Sequence, residues 1–441
     1  MTRRRADRAR MIAFRVLRAV SAEGAYANLE LSQRLAEAGL EARDAALATE
    51  LVAGTCRSQG SYDAIIEAAA GRPLKSLQPA VVDALRLGTH QLLHLRIPLH
   101  AAVSATVDVA AVAISERVAG VVNAVLRKVG ARTFEEWMDV LTVGLSPADA
   151  LALRSRHPSW IVAALADVLP ADELTAALDA DNRAPTTHLV VRPGLAEVSE
   201  LSGEPTRYSP WGAVAAGDPG RLRAVREGRA GVQDEGSQLV TLALARAEAP
   251  EGPWLDTCAG PGGKAALLAG LAREQGRPFI AAELQPHRAG LVAQALRGYP
   301  EPRPTVLVAD GTRPPWREGS FAKVLLDAPC TGLGALRRRP ESRWRRSPAD
   351  VADLVVLQRL LLRAAIRATR PGGIVAYVTC SPHRAETVDI VDDVVADGDV
   401  DIVEAAPLLP EVPDAARGPF VQLWPHRHGT DAMFLAVLRR R

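Results

Sequence analysis

Lysine is almost missing from this 441-residue chain. It stands only at Lys75, Lys128, Lys264 and Lys323, and arginine supplies the other 49 of 53 basic residues. Most of that bias is compositional, because arginine occupies even plain helix-surface positions. Fifty-one acidic residues bring the net charge to +2, so total charge selects no class of partner. Local clusters carry more information than the sum. Arginine gathers at Arg3-Arg4-Arg5, and at Arg337-Arg338-Arg339 followed by Arg343, Arg345 and Arg346.

Cysteine is also scarce. Cys56, Cys258, Cys330 and Cys380 lie far apart and form no CxxC pair, which excludes a disulfide scaffold and a zinc ribbon. No histidine stands at ligand spacing beside them, so no metal is expected. Long apolar runs are absent too: none approaches the roughly eighteen residues of a membrane span. The arginine-rich start leads into an apolar stretch broken by Arg15 and Arg18, unlike a secretory signal. The expected protein is cytoplasmic, a monomer, and independent of membranes. With 48% hydrophobic and 24% charged residues, wholesale disorder is excluded. At about 150 residues per domain the length predicts two to four domains.

Residues 1–140 read as all-helical. Met11, Phe14, Leu17 and Val20 fall at helical spacing, and stretches 43–57, 61–70, 77–95, 100–115 and 117–129 follow. The 100–115 stretch is apolar on nearly every face and should lie at a bundle centre. Residues 145–230 form a small α+β linker domain, with helical stretches near 147–154 and 158–168 and a strand at 188–191. Residues 231–441 alternate strand-like runs (254–258, 279–284, 305–309, 323–326, 374–378) with helical stretches, the pattern of βαβ units and a Rossmann-like parallel sheet. A last run, 433–438, reads as an edge strand.

Ligands of open α/β sheets bind beyond the carboxyl ends of the strands. Those ends carry Asp256-Thr257-Cys258, Glu283, Asp310, Asp327-Ala328-Pro329-Cys330 and Thr379-Cys380-Ser381. One such residue is usually a turn residue; five on one sheet edge point to a site. The loop Cys258-Ala259-Gly260-Pro261-Gly262-Gly263-Lys264 lets backbone approach a ligand. It fits neither a Walker A loop nor GxGxxG spacing. Glu283 suits ribose hydroxyls and Asp310 an adenine amino group. An adenosyl ligand without pyrophosphate follows, and S-adenosylmethionine is the candidate.

The stretches Asp256–Lys264, Asp327–Gly334 with Arg337-Arg338-Arg339-Pro340, and Thr379-Cys380-Ser381 resemble the signature motifs of RNA cytosine-C5 methyltransferases. Tyr26-Ala27-Asn28, Leu85–Gly88 with Gln91-Leu92-Leu93, and Val122–Lys128 resemble the helical RNA-binding domain of NusB-type antitermination factors. Joined in one chain, with Gly429-Thr430-Asp431 and Phe434 near the end, they resemble 16S ribosomal RNA cytosine methyltransferases of the RsmB type. The resemblance implies that Cys258, Ala259, Gly260, Pro261, Gly262, Gly263, Lys264, Glu283, Asp310 and Asp327 line the S-adenosylmethionine site. It implies Cys380 as nucleophile, Cys330 in product release, Asp327 at the base edge, and 16S ribosomal RNA as partner. The run Arg337–Arg346, with Trp344 inside it, reads as an RNA-facing loop. Cys56 reads as a small core residue and Cys258 as packing or cofactor wall; His90, His94 and His100 read as core or helix-surface residues.

Two segments depart from the family. After Thr-Cys-Ser the family often has Glu-Asn-Glu, whereas Pro382–Thr387 keeps an acid only at Glu386. Val190-Val191-Arg192-Pro193 replaces an Arg-Val-Asn strand. Two other functions remain open on sequence: a DNA cytosine methyltransferase using Cys330 of Pro329-Cys330, and a non-catalytic RNA-binding or antitermination factor that keeps a cofactor fold.

Overall fold

Residues 6–441 are described by the structure, a computed structural model, so the Arg3-Arg4-Arg5 cluster lies outside the described residues. The chain divides into two compact units: Met1–Arg183 with Leu336–Ser347, and Ala184–Ala335 with Pro348–Arg441.

The first unit is helical. Its helices include Arg8–Glu23, Ala27–Ala38, Ala42–Arg57, Gln59–Ala70, Pro79–Leu93, Leu99–Ala113 and Ala119–Val129. Their apolar faces meet in one core holding Phe14, Leu51, Tyr62, Ile66, Leu85 and Leu126. Leu99–Ala113 buries Val103, Val107 and Val109 but leaves Leu99 and Val112 exposed, so this uniformly apolar helix is not central. Sequence reading missed Phe134–Leu141, whose capping box between Thr133 and Glu136 marks its start. Helices Pro147–Ser155, Ser159–Ala166 and Ala171–Asp181 also belong to this unit.

The segment Leu336–Ser347 packs inside this unit, which corrects the expectation of an RNA-facing loop. Arg343 is fully buried and donates to Asn182 Oδ1 at 2.7 Å and to the Asp181 carbonyl at 2.6 Å. Trp344 donates from its indole to the Cys56 carbonyl at 2.7 Å and lies against Gly60, where a Cβ would fall 2.3 Å from the ring. Glu341 accepts from the Ala27 amide at 3.2 Å. Of the six arginines in the run, Arg339 alone is well exposed. Arg343 and Arg345 spend their guanidiniums on main-chain carbonyls and one amide oxygen, as a buried arginine must, rather than on a phosphate.

The second unit holds two sheets. A small antiparallel sheet is ordered β2-β1-β3, from β1 (His188–Val191), β2 (Gly212–Val214) and β3 (Ala230–Val232). The large sheet contains β4 (Trp254–Asp256), β5 (Phe279–Glu283), β6 (Thr305–Val308), β7 (Phe321–Asp327), β8 (Thr369–Thr379), β9 (Val400–Val403), β10 (Ala416–Arg417), β11 (Phe420–Gln422) and β12 (Phe434–Arg440). Its order is β10-β11-β12-β8-β7-β4-β5-β6, with β9 also on β12. Strands β6-β5-β4-β7-β8 are parallel and the remainder pair antiparallel. Alternation divides the sheet's two faces: Ile374, Ala376 and Val378 join one core, Val375 and Tyr377 the other. The run 433–438 is no edge strand; β12 pairs with β8 on one side and with β9 and β11 on the other.

Candidate active site

Strand β4 lies between β5 and β7, so the direction of winding reverses there, and a crevice opens at the carboxyl ends. Every site residue expected from sequence stands on that edge. Cys258 to Lys264 span the turn from β4 into helix Gly263–Glu274; Glu283 ends β5, Asp310 follows β6, Asp327 ends β7, and Cys380 follows β8.

The glycine loop is built for close approach. A Cβ on Gly260 would fall 2.4 Å from Glu283 Oε2, and Gly262 takes φ +112°, a conformation side chains rarely adopt. Gly260 N–H donates to Glu283 Oε2 at 3.0 Å, and Gln285 N–H donates to Oε1 at 3.0 Å, which fixes the carboxylate. Asp310 accepts from the Thr312 hydroxyl at 2.7 Å and amide at 2.8 Å, and these bonds hold its pKa below the usual carboxylate value.

Lys264 Nζ reaches Asp327 Oδ2 at 2.8 Å. Burial works against the lysine's charge, but Asp327 and then Cys380 outweigh it and raise its pKa. Asp256, fully buried at the end of β4, is pushed up to about 8 by burial and then by the Asp327 charge. Burial, with the charges of Asp256, Asp327 and Glu283 behind it, raises the Cys258 thiol as well. A wall residue rather than a nucleophile is what that environment makes of Cys258.

Cys330 and Cys380 come together from neighbouring loops, Sγ to Sγ 3.4 Å. Ala328 N–H donates to the Val378 carbonyl at 2.9 Å, and Gly334 N–H to the Cys380 carbonyl at 2.8 Å, so two backbone bonds tie these loops. The Cys330 thiol is raised well above its ordinary value, first by its hydrogen bond to Cys380, then by burial and the Cys380 charge. Among the described residues no group of three His, Cys, Asp or Glu side chains could hold a metal. No helix among them is long and apolar enough to cross a membrane.

Three contributors went unread in the sequence. Gln233, just after β3, is buried with neither side-chain amide atom partnered, and it lies 3.7 Å from where a Gly263 Cβ would stand. Glu386 and Gln358 are fully buried beneath the cysteine loops. Only Glu386 left a trace, as the acid retained after Cys380. The orphaned Gln233 amide, the glycine cradle and the acids at the ends of β5 and β6 together fit an adenosyl ligand with an amino-acid tail.

Comparison with known proteins agrees with this architecture. Residues 241–439 match the family model of the 16S rRNA methyltransferase RsmB/F, and residues 7–131 match the NusB family. A Mycobacterium tuberculosis protein named as a methyltransferase is 52% identical, across 99% of this chain and 98% of its own. Ribosomal RNA small subunit methyltransferase B of Salmonella paratyphi C is 31% identical over 81% of this chain and 82% of its own. The crystal structure of PH0851 shares the fold, with a TM-score of 0.82 at 22% identity over 99% of this chain and 100% of that one. By sequence kinship along nearly its whole length, this chain belongs to the RsmB/F family of RNA methyltransferases, with a NusB-family region preceding the methyltransferase.

Proposed function

We propose that the protein methylates C5 of a cytosine in 16S ribosomal RNA, with Cys380 as the nucleophile and Cys330 as its partner. The observation that carries this reading is the 3.4 Å approach of the two thiols at the ends of adjacent strands β7 and β8. The methyl donor, S-adenosylmethionine, supplies an electrophilic methyl group on a sulfonium sulfur. Cys258 to Lys264, Gln233, Glu283, Asp310 and Asp327 would hold it, with Glu283 taking ribose hydroxyls and Asp310 the adenine amino group.

Cytosine C5 is a weak nucleophile, so electron density must first be driven onto it. The Cys380 thiolate adds to C6; the S–C6 bond forms and the C5=C6 pair moves to C5. Asp327, held by Lys264, takes the base edge at N3 and N4 and orients it, and the Lys264 ammonium beside it offsets the negative charge developing on the ring. Cys330 keeps its proton at this stage, because the neighbouring thiolate opposes a second negative charge. Once the Cys380 sulfur is bonded to carbon that opposition is gone. Cys330 then gives its own proton to solvent more readily, and as a thiolate it takes the proton from methylated C5. The C–H pair re-forms C5=C6, the S–C6 bond breaks, and its electrons return to Cys380.

The base must leave its stack to reach the thiols, which favours a cytosine in a loop. We assign RNA binding to residues 1–140, a linking role to 145–230 and the chemistry to 231–441. The test is transfer from labelled S-adenosylmethionine to unmodified 16S RNA. Cys380→Ala should abolish transfer, and Cys330→Ala should accumulate a covalent RNA adduct. Activity that survives Cys380→Ala but vanishes in Cys330→Ala would reverse the roles and favour the DNA-type assignment. No transfer by the wild type to any RNA would leave the binding-factor reading.

A further inference from the structure

Beneath the two thiols lies a polar knot formed by neither the cofactor loop nor the reacting atoms. Glu386 is fully buried, and its carboxylate collects four hydrogen bonds. Oε1 accepts from the Thr331 amide at 2.8 Å and from Gln358 Nε2 at 3.1 Å; Oε2 accepts from the Ser381 hydroxyl at 2.7 Å and from the Thr331 hydroxyl. The two hydroxyls also lie 3.1 Å apart. Gln358 donates in addition to the Pro329 carbonyl at 2.8 Å, and the Tyr377 hydroxyl donates to the Glu386 carbonyl at 2.8 Å.

The sequence positions of these partners matter. Thr331 directly follows Cys330, and Ser381 directly follows Cys380. Pro329 precedes Cys330, so one loop is gripped on both sides of its cysteine. A buried carboxylate is costly unless several donors satisfy it, and here all of them come from the two cysteine loops and one helix. If the acid served only to cap its own turn, it would have no need to bond residues flanking both thiols.

We propose that Glu386 is a positioning residue that holds the Cys330 and Cys380 loops at the separation the chemistry requires, acting through Thr331, Ser381 and Gln358. This rests on the reading of Cys380 and Cys330 as the reacting pair. Glutamine can replace the acid with little loss: its oxygen serves the Thr331 amide and Gln358, while its NH₂ donates to hydroxyls that can turn to accept. Alanine cannot, and it leaves buried donors unpaired.

The test compares full-length wild type, Glu386→Gln and Glu386→Ala by two readouts. The first is the rate at which limiting diamide links Cys330 to Cys380, mapped by mass spectrometry; two thiols are oxidised and the N=N bond is reduced to a hydrazine. The second is methyl transfer, with kcat and the KM for S-adenosylmethionine measured separately. Glu386→Ala should slow pairing about tenfold and lower kcat about a hundredfold, as misplacement on the order of 1 Å does. Its KM should stay within about twofold, and Glu386→Gln should restore most of both rates. Wild-type pairing and kcat in Glu386→Ala would overturn the proposal. Should that chain fail to fold, Thr331→Val combined with Ser381→Ala removes the hydroxyl bonds and leaves the acid; unchanged pairing and kcat there would overturn it equally. Slowed pairing in the variant, with a wild type that transfers methyl to no RNA, would sink the C5 reading while leaving Glu386 in its positioning role.

Discussion

Lys264 and Asp327 meet at 2.8 Å across the crevice and join the helix after the glycine loop to the end of β7. The contact links the residues proposed to hold the cofactor to the acid proposed to hold the base. Lysine is so rare in this chain that its presence here is informative. A compact ammonium fits a site where a planar guanidinium would not.

Removing either partner should cost more than removing both. Lys264→Met leaves Asp327 beside Asp256 without its counter-charge; Asp327→Asn leaves a largely buried ammonium. A double-mutant cycle on unfolding free energy should give a coupling of about 1–2 kcal/mol, moderate because the Asp327 side chain keeps 26% of its exposure. Methyl transfer should fall about a hundredfold in Asp327→Asn. Additive effects on stability would mean the pair exchanges freely with solvent.

Gly334 should tolerate no side chain. A Cβ there would fall 2.1 Å from the Ala432 carbonyl oxygen and 2.9 Å from that of Cys380, both backbone atoms. Gly334→Ala must therefore displace the Ala432 backbone or the loop bearing Cys380, to which Gly334 is hydrogen-bonded on both sides. The expected outcome is a loss of about 1–3 kcal/mol in denaturant unfolding. Transfer should drop further than that loss explains, with cofactor affinity preserved in equilibrium binding. Unchanged turnover would show that Cys380 is placed without this contact.

Arg343 illustrates where reading the sequence stops. An arginine run with a tryptophan inside it has the composition of a nucleic-acid loop, and composition says nothing about which side chains are buried. The Asn182 and Asp181 oxygens that receive Arg343 lie some 160 residues away. The acids and cysteines at the strand ends were legible for the opposite reason: topology alone brings the ends of parallel strands together. Gln358 and Glu386 stayed hidden because each acts through a partner distant in sequence, and Gln233 because only tertiary folding brings it beside the glycine loop. The reversal of 433–438 from edge to interior strand came from β9 and β11, short runs with weak alternation.

Arg343→Leu should destabilise the helical unit by about 3 kcal/mol. The change leaves the Asn182 side-chain oxygen and the Asp181 and Arg156 carbonyls without their donor in a dry site. Lysine is not expected to rescue it, since one ammonium cannot span three acceptors held by a planar fork. Circular dichroism during denaturant unfolding reads the loss. A variant as stable as wild type would mean that water replaces the guanidinium.

Asp256 should make stability fall as pH rises. The group is fully buried, its Oδ2 has no partner, and its pKa stands near 8 in the fold. An unfolded aspartate titrates at about 3.9. Between those values the folded chain holds a proton that the unfolded chain has released. Raising the pH therefore favours unfolding, with slope set by the difference in bound protons. This contribution is complete below about pH 4 and is lost as pH climbs through about 8, up to a few kcal/mol in all. Asp256→Asn keeps the shape and has no proton to lose. Relative to wild type it should gain steadily between about pH 5 and pH 8 in denaturant unfolding, with little difference at the acid end. A gap that stays constant across that range would mean Asp256 is ionised in the fold, its charge held by Lys264 despite the burial.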